Sequence, residues 1–221
     1  EGDSVKESTT ATASRTRKGA TGIKNRVAAA PRAKATAATA RGLKVSRVFS
    51  TAGVSPFDQI EWDRRKASIT DDKGAPIFEQ HNVEVPKTWS MLATNVVASK
   101  YFYGDVTKAE REGSVRQLVH RVSRTIADWG IADGYFQTPA DGETFYQELT
   151  WLLVNQYGAF NSPVWFNCGL FHQYGVGKGS GAGNFYFDRK TQTVEQASTQ
   201  YEYPQCSACF IQRVDDTMES I

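Results

Sequence analysis

Three cysteines are the residues of this chain best suited to redox chemistry, and they lie in two short stretches. Cys206 and Cys209 form a Cys-x-x-Cys pair within residues 204–211, where an apolar Phe-Ile pair follows the second thiol. Cys168 follows the sequence Phe-Asn-Ser-Pro-Val-Trp-Phe-Asn of residues 160–167. Thiols can bind a metal or exchange electrons between dithiol and disulfide, so both kinds of chemistry must be considered.

The Cys-x-x-Cys pair has three functional interpretations and one structural one. A zinc site needs two further Cys or His ligands, and no second Cys-x-x-Cys supplies them. A thioredoxin-like pair opens a helix, whereas the apolar residues after Cys209 predict a strand. A single redox-active cysteine at the start of a buried strand, with a distant partner, is the third interpretation. The structural one is a pair of small buried side chains, and the spacing alone does not exclude it.

Composition narrows the class of protein. With 40% hydrophobic and 12% aromatic residues, the 221-residue chain can build one large core or two small ones. No apolar run approaches the roughly 20 residues that span a bilayer, and the sequence shows no secretory signal. An odd number of cysteines does not suit a disulfide framework. We therefore predict a cytoplasmic protein without membrane contact, in which any disulfide is catalytic.

The N-terminal segment differs from the rest of the chain. Residues 1–47 hold eleven Lys/Arg against three Asp/Glu. Residues 1–43 have almost no large apolar side chains, so burial cannot offset the entropy of ordering them, and we predict that they are disordered. Such a tail could tether nucleic acid through phosphate contacts. Its composition favours the alternative of a solubilising extension, so contact with nucleic acid is not expected.

Ordered structure is predicted to begin near Leu43. Residues 67–70 and 76–79 flank a turn-forming Asp-Asp-Lys-Gly sequence and predict a β-hairpin. Residues 83–86 are expected to lead into a helix that Gly104 and Asp105 end. Its apolar positions recur at helical spacing: Trp89, Leu92, Val96 and Val97.

Two amphipathic helices are predicted next. The first begins at Ser114, with Gln117 completing a capping box, and Gly130 fits its C-terminal stop. The second begins near Asp141 and ends at Gly158. His120 lies among charged neighbours on the first of these helices, and we assign it no role.

Glycines dominate residues 174–183, which raises the possibility of a phosphate-binding loop. They match neither GxGxxG nor GxxxxGK[ST], so we predict a mobile surface loop. Residues 184–187 predict a strand, and the polar residues 189–200 predict helix or loop.

Four stretches together resemble one known family. They are residues 89–102 (Trp-Ser-Met-Leu-Ala-Thr-Asn-Val-Val-Ala-Ser-Lys-Tyr-Phe), 160–167, 204–210 and 215–221. They are similar to the N-terminal part of the vitamin B12-dependent (class II) ribonucleotide reductases. The resemblance covers roughly residues 45–221, and the basic tail has no counterpart in it.

The resemblance implies a fold and an activity. The fold would be α/β, with a mostly helical region at residues 44–160 leading into the first strands of a ten-stranded α/β barrel at residues 161–221. The activity would be adenosylcobalamin-dependent reduction of ribonucleoside diphosphates to 2′-deoxyribonucleotides by thiyl-radical chemistry. The radical cysteine, the catalytic carboxylate and the cobalamin contacts have no match here. The chain is therefore expected to be an N-terminal fragment without turnover of its own.

The resemblance also implies roles for particular residues. Cys209, in an Ala-Cys context, matches a redox-active reductant whose disulfide partner lies outside the chain. Ser162 matches the residue that hydrogen-bonds the phosphate end of the substrate, and the amides of Ala208 and Cys209 can contact the same substrate. The effector-binding segment is matched by Asp216, Thr217 and Met218. Neither Cys168 nor Cys206 matches a functional position, so Cys168 is expected to be a buried packing residue and the Cys-x-x-Cys spacing incidental.

These roles imply partners. The ordinary cysteine pKa of about 8.5 favours a neutral thiol, which suits a hydrogen donor. The disulfide it forms must be reduced again by thiol–disulfide exchange with thioredoxin or a similar dithiol. A deoxynucleoside triphosphate effector and a homodimer are also implied. The alternative to catalysis is a zinc-binding or basic-tailed interaction module.

Overall fold

The computed structural model describes residues 42–179, 183–209 and 217–218. Over these residues the fold is mixed, with two separate two-stranded antiparallel sheets and five α-helices. None of the described helices combines the length and apolarity that crossing a membrane requires. The elements are β1 (Trp62–Thr70), β2 (Pro76–Pro86), α1 (Met91–Val96), α2 (Val115–Ala132), α3 (Pro139–Val154), α4 (Ser162–Asn167), α5 (Leu170–Tyr174), β3 (Phe185–Asp188) and β4 (Thr193–Gln196).

Two predictions fall outside the described residues. The disordered tail was predicted for residues 1–43, of which only 42 and 43 are described. The strand predicted after Cys209 begins at Phe210, which is also outside them.

The predicted β-hairpin is confirmed, with longer strands than the sequence indicated. Strands β1 and β2 pair from Trp62 opposite Pro86 to Thr70 opposite Pro76. The Asp71 carboxylate closes the turn by accepting the backbone N–H groups of Lys73 and Ala75 at 2.9 and 2.8 Å. Residues 83–86 finish β2, and the alternation of strand side chains buries Val83 and Val85 together.

The helix predicted around Trp89 is only partly correct. Trp89 precedes α1, and the N-cap of this helix is Ser90. The indole N–H of Trp89 donates to the Val154 carbonyl at 2.8 Å. The helix continues as a π-helix over Val97–Tyr101 and ends there rather than at Gly104. Leu92 is 74% exposed, so helical spacing alone did not identify the buried face.

Helix α2 begins where predicted but ends later. Ser114 caps it by accepting the Arg116 N–H at 3.0 Å, whereas the Gln117 side chain accepts the Gly113 N–H, so the reciprocal capping box does not form. Gly130 lies inside the helix and does not stop it. A Cβ there would approach the Phe136 ring to 2.5 Å, so Gly130 provides space for packing.

Both predicted ends of α3 require correction. Thr138 forms a reciprocal capping box with Asp141, and the helix therefore starts at Pro139, where a missing N–H costs nothing. It ends at Val154, and Gln156 takes the left-handed conformation expected of a C-terminal glycine, with φ of 59°. Gly158 is not the stop.

The main core lies between the first hairpin, α2 and α3. Its buried members include Phe57, Ala67, Val83, Val85, Val97, Ala98, Phe102, Val115, Leu118, Val119, Leu153 and Val154. In the C-terminal part of the described chain, β3 confirms the predicted strand. Its partner β4 lies within residues 189–200, so the prediction of helix or loop there was wrong.

Glu148 attaches residues 48–50 to α3. One carboxylate oxygen accepts the N–H groups of Val48 and Phe49, both at 2.9 Å, and the other accepts the Ser50 N–H at 2.8 Å and the Ser50 hydroxyl. Burial alone would raise the Glu148 pKa, but these hydrogen bonds offset it and leave the pKa lowered.

This lowered pKa predicts a pH-dependent stability. The Glu148 carboxylate stabilises the fold above its unfolded pKa of about 4.3, and this contribution is lost as pH falls through the folded pKa. We expect Glu148→Gln to lower the free energy of unfolding at pH 7 by roughly 2 kcal/mol and to flatten its fall below pH 5. Urea unfolding at several pH values would measure both. Glu110→Gln, at an exposed position, is the control, and an equal loss in the two variants would contradict the prediction.

Candidate functional site

A hydrogen bond joins the two cysteine-containing stretches. The side-chain amide of Asn167, the last residue of α4, donates to the backbone carbonyl of Gln205 at 3.0 Å. At the other end of α4, Ser162 is half-buried. Ala208 and Cys209 are exposed and follow Gln205 closely in the chain. Two stretches far apart in sequence therefore meet at α4.

Residues 162–167 form α4, and the residue before them is its N-cap. Pro163 lies in the first turn of α4, where no N–H partner is needed. Asn161 caps this helix by accepting the Val164 N–H at 3.2 Å. The role of Asn161 is thus structural.

Tyr101 positions the Ser162 hydroxyl. The two hydroxyl oxygens are 3.1 Å apart, and the Tyr101 ring stacks on Phe166 with centroids separated by 5.4 Å. An apolar cavity of about 430 Å³ lies beside them, lined in part by Trp89, Val97 and Trp165. Tyr101 is a contributor to the site that sequence reasoning missed, although it lies within the first of the stretches that carry the family resemblance.

Arg121 holds the chain after α4 in place. Its guanidinium is fully buried, contacts the Glu112 carboxylate at 2.8 Å, and donates to the carbonyls of Cys168 and Trp165 at 2.6 and 3.1 Å. Glu112 also accepts the Tyr174 hydroxyl at 2.8 Å. Burial, and then the Glu112 charge, raise the pKa of Tyr174, so this hydroxyl stays a proton donor.

A close backbone approach accompanies this network. Gly169 has a φ of +83°, and a Cβ there would lie 2.5 Å from the Arg121 carbonyl oxygen. Residue 169 must therefore be glycine for α5 to start against α2. From α5, the His172 ring donates to the Glu202 carbonyl at 3.0 Å, a second tie to the segment that carries Cys209.

The three cysteines have different environments. Cys168 is 1% exposed, as expected for a packing residue. Cys206 is half-buried and Cys209 is exposed. The Cys168 thiol lies beside that of Cys206, and their interaction lowers the pKa of Cys206 and raises that of Cys168. The structure thus gives Cys206 a thiol partner that its sequence spacing did not indicate.

The remaining candidates are metal ligands, the predicted effector-binding residues and the glycine-rich segment. Within residues 42–179, 183–209 and 217–218 no three His, Cys, Asp or Glu side chains group in a way that could hold a metal ion. Thr217 and Met218 are exposed, and Asp216 lies outside the described residues. The glycines at 175, 177 and 179 all adopt positive φ, and 180–182 are also outside.

Comparison with known proteins supports the family resemblance. The family model described as "Class II vitamin B12-dependent ribonucleotide reductase" matches residues 63–105 and 103–156. A vitamin B12-dependent ribonucleotide reductase of Rhodopirellula baltica is 59% identical over 182 residues, covering 81% of this chain and 17% of that protein. Enzymes of the same name from Streptomyces coelicolor and Agrobacterium fabrum are 41% and 33% identical, covering 86% and 80% of this chain and 16% of each enzyme.

These findings confirm the resemblance. The chain belongs to the class II vitamin B12-dependent ribonucleotide reductase family. It spans about one sixth of the length of the curated relatives it matches.

The buried ion pair between Arg121 and Glu112 should contribute strongly to stability. Arg121→Met would leave Glu112 buried without its counter-charge, and we expect the free energy of unfolding to fall by roughly 3–5 kcal/mol. Urea unfolding would measure this loss. Lys87→Met, which removes an exposed ion pair with Glu61, is the control and should leave the midpoint unchanged.

A double variant separates the charge effect from lost packing. Glu112→Gln removes the charge but keeps a hydrogen-bond acceptor, so Arg121→Met combined with Glu112→Gln should be less destabilised than the sum of the single variants. Simple additivity would show that the buried charge is not the cause.

Proposed function

We propose that this chain is part of an enzyme that reduces ribonucleoside diphosphates to 2′-deoxyribonucleotides with adenosylcobalamin as cofactor. Family membership supports the class of reaction. For this part of the chain, the supporting observation is the hydrogen bond between Asn167 and Gln205. It joins the helix that contains Ser162 to the segment that contains Cys209.

Cys209 is proposed as one of two reducing thiols. In the overall reaction the ribose 2′-hydroxyl leaves as water, a hydrogen takes its place, and two cysteine thiols become one disulfide. The exposure of the Cys209 thiol suits both contact with a sugar and later reduction by thioredoxin or a similar dithiol. Its disulfide partner and the radical-bearing cysteine are assigned to residues outside this chain.

Adenosylcobalamin supplies the radical chemistry when bound. No residue of this chain is assigned to hold it, so what these residues contribute is limited to the substrate and the reducing thiol. A thiol that must face a sugar needs a fixed position. The ties from Asn167 to Gln205 and from His172 to Glu202 favour such a position for the segment before Cys209.

Ser162 is proposed to bind the phosphate end of the substrate. Its hydroxyl is half-exposed and is held by the Tyr101 hydroxyl, which can accept or donate as the Ser162 proton turns. The backbone amides of Ala208 and Cys209 are proposed as further donors to the same substrate. Tyr101 is then a positioning residue that acts through Ser162.

The family resemblance also underlies the proposed domain boundaries, effector site and location. We assign residues 44–160, which hold the first hairpin and α1 to α3, to the N-terminal region of the enzyme and 161–221 to the start of a ten-stranded α/β barrel. Asp216, Thr217 and Met218 are proposed to bind a deoxynucleoside triphosphate effector, near the interface of a homodimer. The cytoplasm is the proposed location.

The role of Cys209 predicts a specific kinetic defect. In the full-length enzyme, Cys209→Ser should abolish multiple turnover with a dithiol reductant, because the reducing disulfide cannot form. Cobalamin cleavage, which precedes reduction, should continue. Steady-state deoxynucleotide formation and the optical spectrum of cobalamin would report the two steps.

Cys206→Ser is the matched control, since it removes the other thiol of the Cys-x-x-Cys pair. It should retain turnover with a dithiol reductant. Normal turnover in Cys209→Ser, or loss of turnover in Cys206→Ser alone, would reject the assignment.

Ser162 predicts a defect in substrate binding. A hydrogen bond to a charged group contributes roughly 1.5–3 kcal/mol, so Ser162→Ala should raise KM about ten- to a hundredfold. The effect should be much smaller for a substrate with a shorter phosphate chain. Tyr101→Phe should give a milder change in the same direction, and an unchanged KM in both variants would place the phosphate elsewhere.

A further inference from the structure

Cys168 lies at a rigid point of the fold. It follows α4, and its backbone N–H donates to the Val164 carbonyl at 2.9 Å. The buried Arg121 guanidinium holds its carbonyl at 2.6 Å. Both backbone polar groups are therefore fixed, and the thiol is 1% exposed.

Cys206 is brought to this point by two contacts of the residues that precede it. The residue before Cys168 hydrogen-bonds the residue before Cys206, through the Asn167 amide and the Gln205 carbonyl. A few residues earlier, the Glu202 carbonyl accepts from the His172 ring of α5. The Cys206 thiol is half-buried, so one side faces Cys168 while solvent reaches the other.

The two thiols differ in reactivity in a way that suits exchange chemistry. Interaction with the Cys168 thiol lowers the pKa of Cys206, against the effect of burial. The same contact and burial raise the pKa of Cys168. Cys206 is thus both the more accessible thiol and the one that more readily forms the nucleophilic thiolate.

We propose that Cys168 and Cys206 form a redox-active dithiol that closes to a disulfide, separate from the reducing thiol assigned to Cys209. This pair is a modification site whose oxidant is a low-molecular-weight disulfide. The inference concerns thiols of this chain alone and does not depend on nucleotide reduction.

The reaction is a two-step exchange. The Cys206 thiolate attacks one sulfur of the small disulfide RSSR, and RS⁻ leaves and takes up the proton that Cys206 has lost. The Cys168 thiol then loses its proton to the second leaving thiolate and displaces it from the mixed disulfide. In total, two protein thiols and RSSR become one protein disulfide and two RSH.

Closure would fix the segment before Cys209 to the end of α4 by a covalent bond. The Asn167 and His172 contacts are individually weak and exchangeable, whereas a disulfide persists until a thiol reduces it. The oxidised pair therefore holds the chain leading to Cys209 in one place and leaves the Cys209 thiol itself unused.

Peptide mapping of the full-length protein tests the proposal. Trypsin cuts on either side of residues 125–178, which contain Cys168, and of residues 191–213, which contain Cys206 and Cys209. The folded protein is equilibrated with glutathione disulfide, free thiols are alkylated, and the digest is analysed by mass spectrometry. We expect these two peptides to be joined by a disulfide that dithiothreitol reverses.

Single variants identify the cysteines involved. The joined peptides should persist in Cys209→Ser and disappear in Cys206→Ser and Cys168→Ser. Because Cys168 is buried and its variant could misfold, Cys206→Ser at a half-exposed site provides the independent loss, with circular dichroism confirming the fold.

Three results would overturn the proposal. One is a disulfide confined to residues 191–213, which would mean that Cys206 pairs with Cys209. Another is stable glutathionylation of Cys206 without a link to Cys168. The third is loss of the joined peptides in Cys209→Ser, which would assign the bond to Cys209.

Discussion

The buried ion pair between Arg121 and Glu112 is the interaction on which the arrangement of this region depends. Both side chains are almost wholly removed from water, at 0% and 1% exposure, so their charges must be satisfied inside the protein. Glu112 does so with the Tyr103 amide and the Tyr174 hydroxyl in addition to Arg121. Arg121 uses its remaining donors on the carbonyls that end α4, which joins α2 to the cysteine-bearing chain.

This anchoring has a direct consequence for the thiols. A fixed Cys168 backbone and a short α4 present Asn167 to the Gln205 carbonyl, and α5 presents His172 to the Glu202 carbonyl. Polar contacts to α4 and α5, rather than secondary structure of its own, thus position the segment that precedes Cys209. The interaction of the Cys168 and Cys206 thiols is a further contact between the same chain segments.

Family membership and local geometry carry different parts of the functional argument. Membership supports vitamin B12-dependent ribonucleotide reduction as the class of reaction, yet the chain spans about one sixth of its relatives. The geometry adds what these residues can contribute within it: a hydroxyl at Ser162 oriented by Tyr101, an exposed thiol at Cys209, and a contact between the stretches that carry them. The proposed dithiol rests on the contacts and thiol chemistry of this chain and not on family membership.

The sequence by itself determined features that short-range chemistry controls. Asp71 and Gly74 specify the first hairpin turn, Ser114 starts α2, and residues 89–102 and 160–167 carry the family resemblance. Tertiary packing decided the rest. Gly130 satisfies the local rule for a helix stop but lies inside α2, where its missing side chain leaves space for the Phe136 ring. Arg121 has the charge of a surface residue, and only Glu112 and two distant carbonyls make its burial favourable. The Cys206 thiol lies beside Cys168, and no local spacing encodes this contact because the two residues belong to segments far apart in sequence.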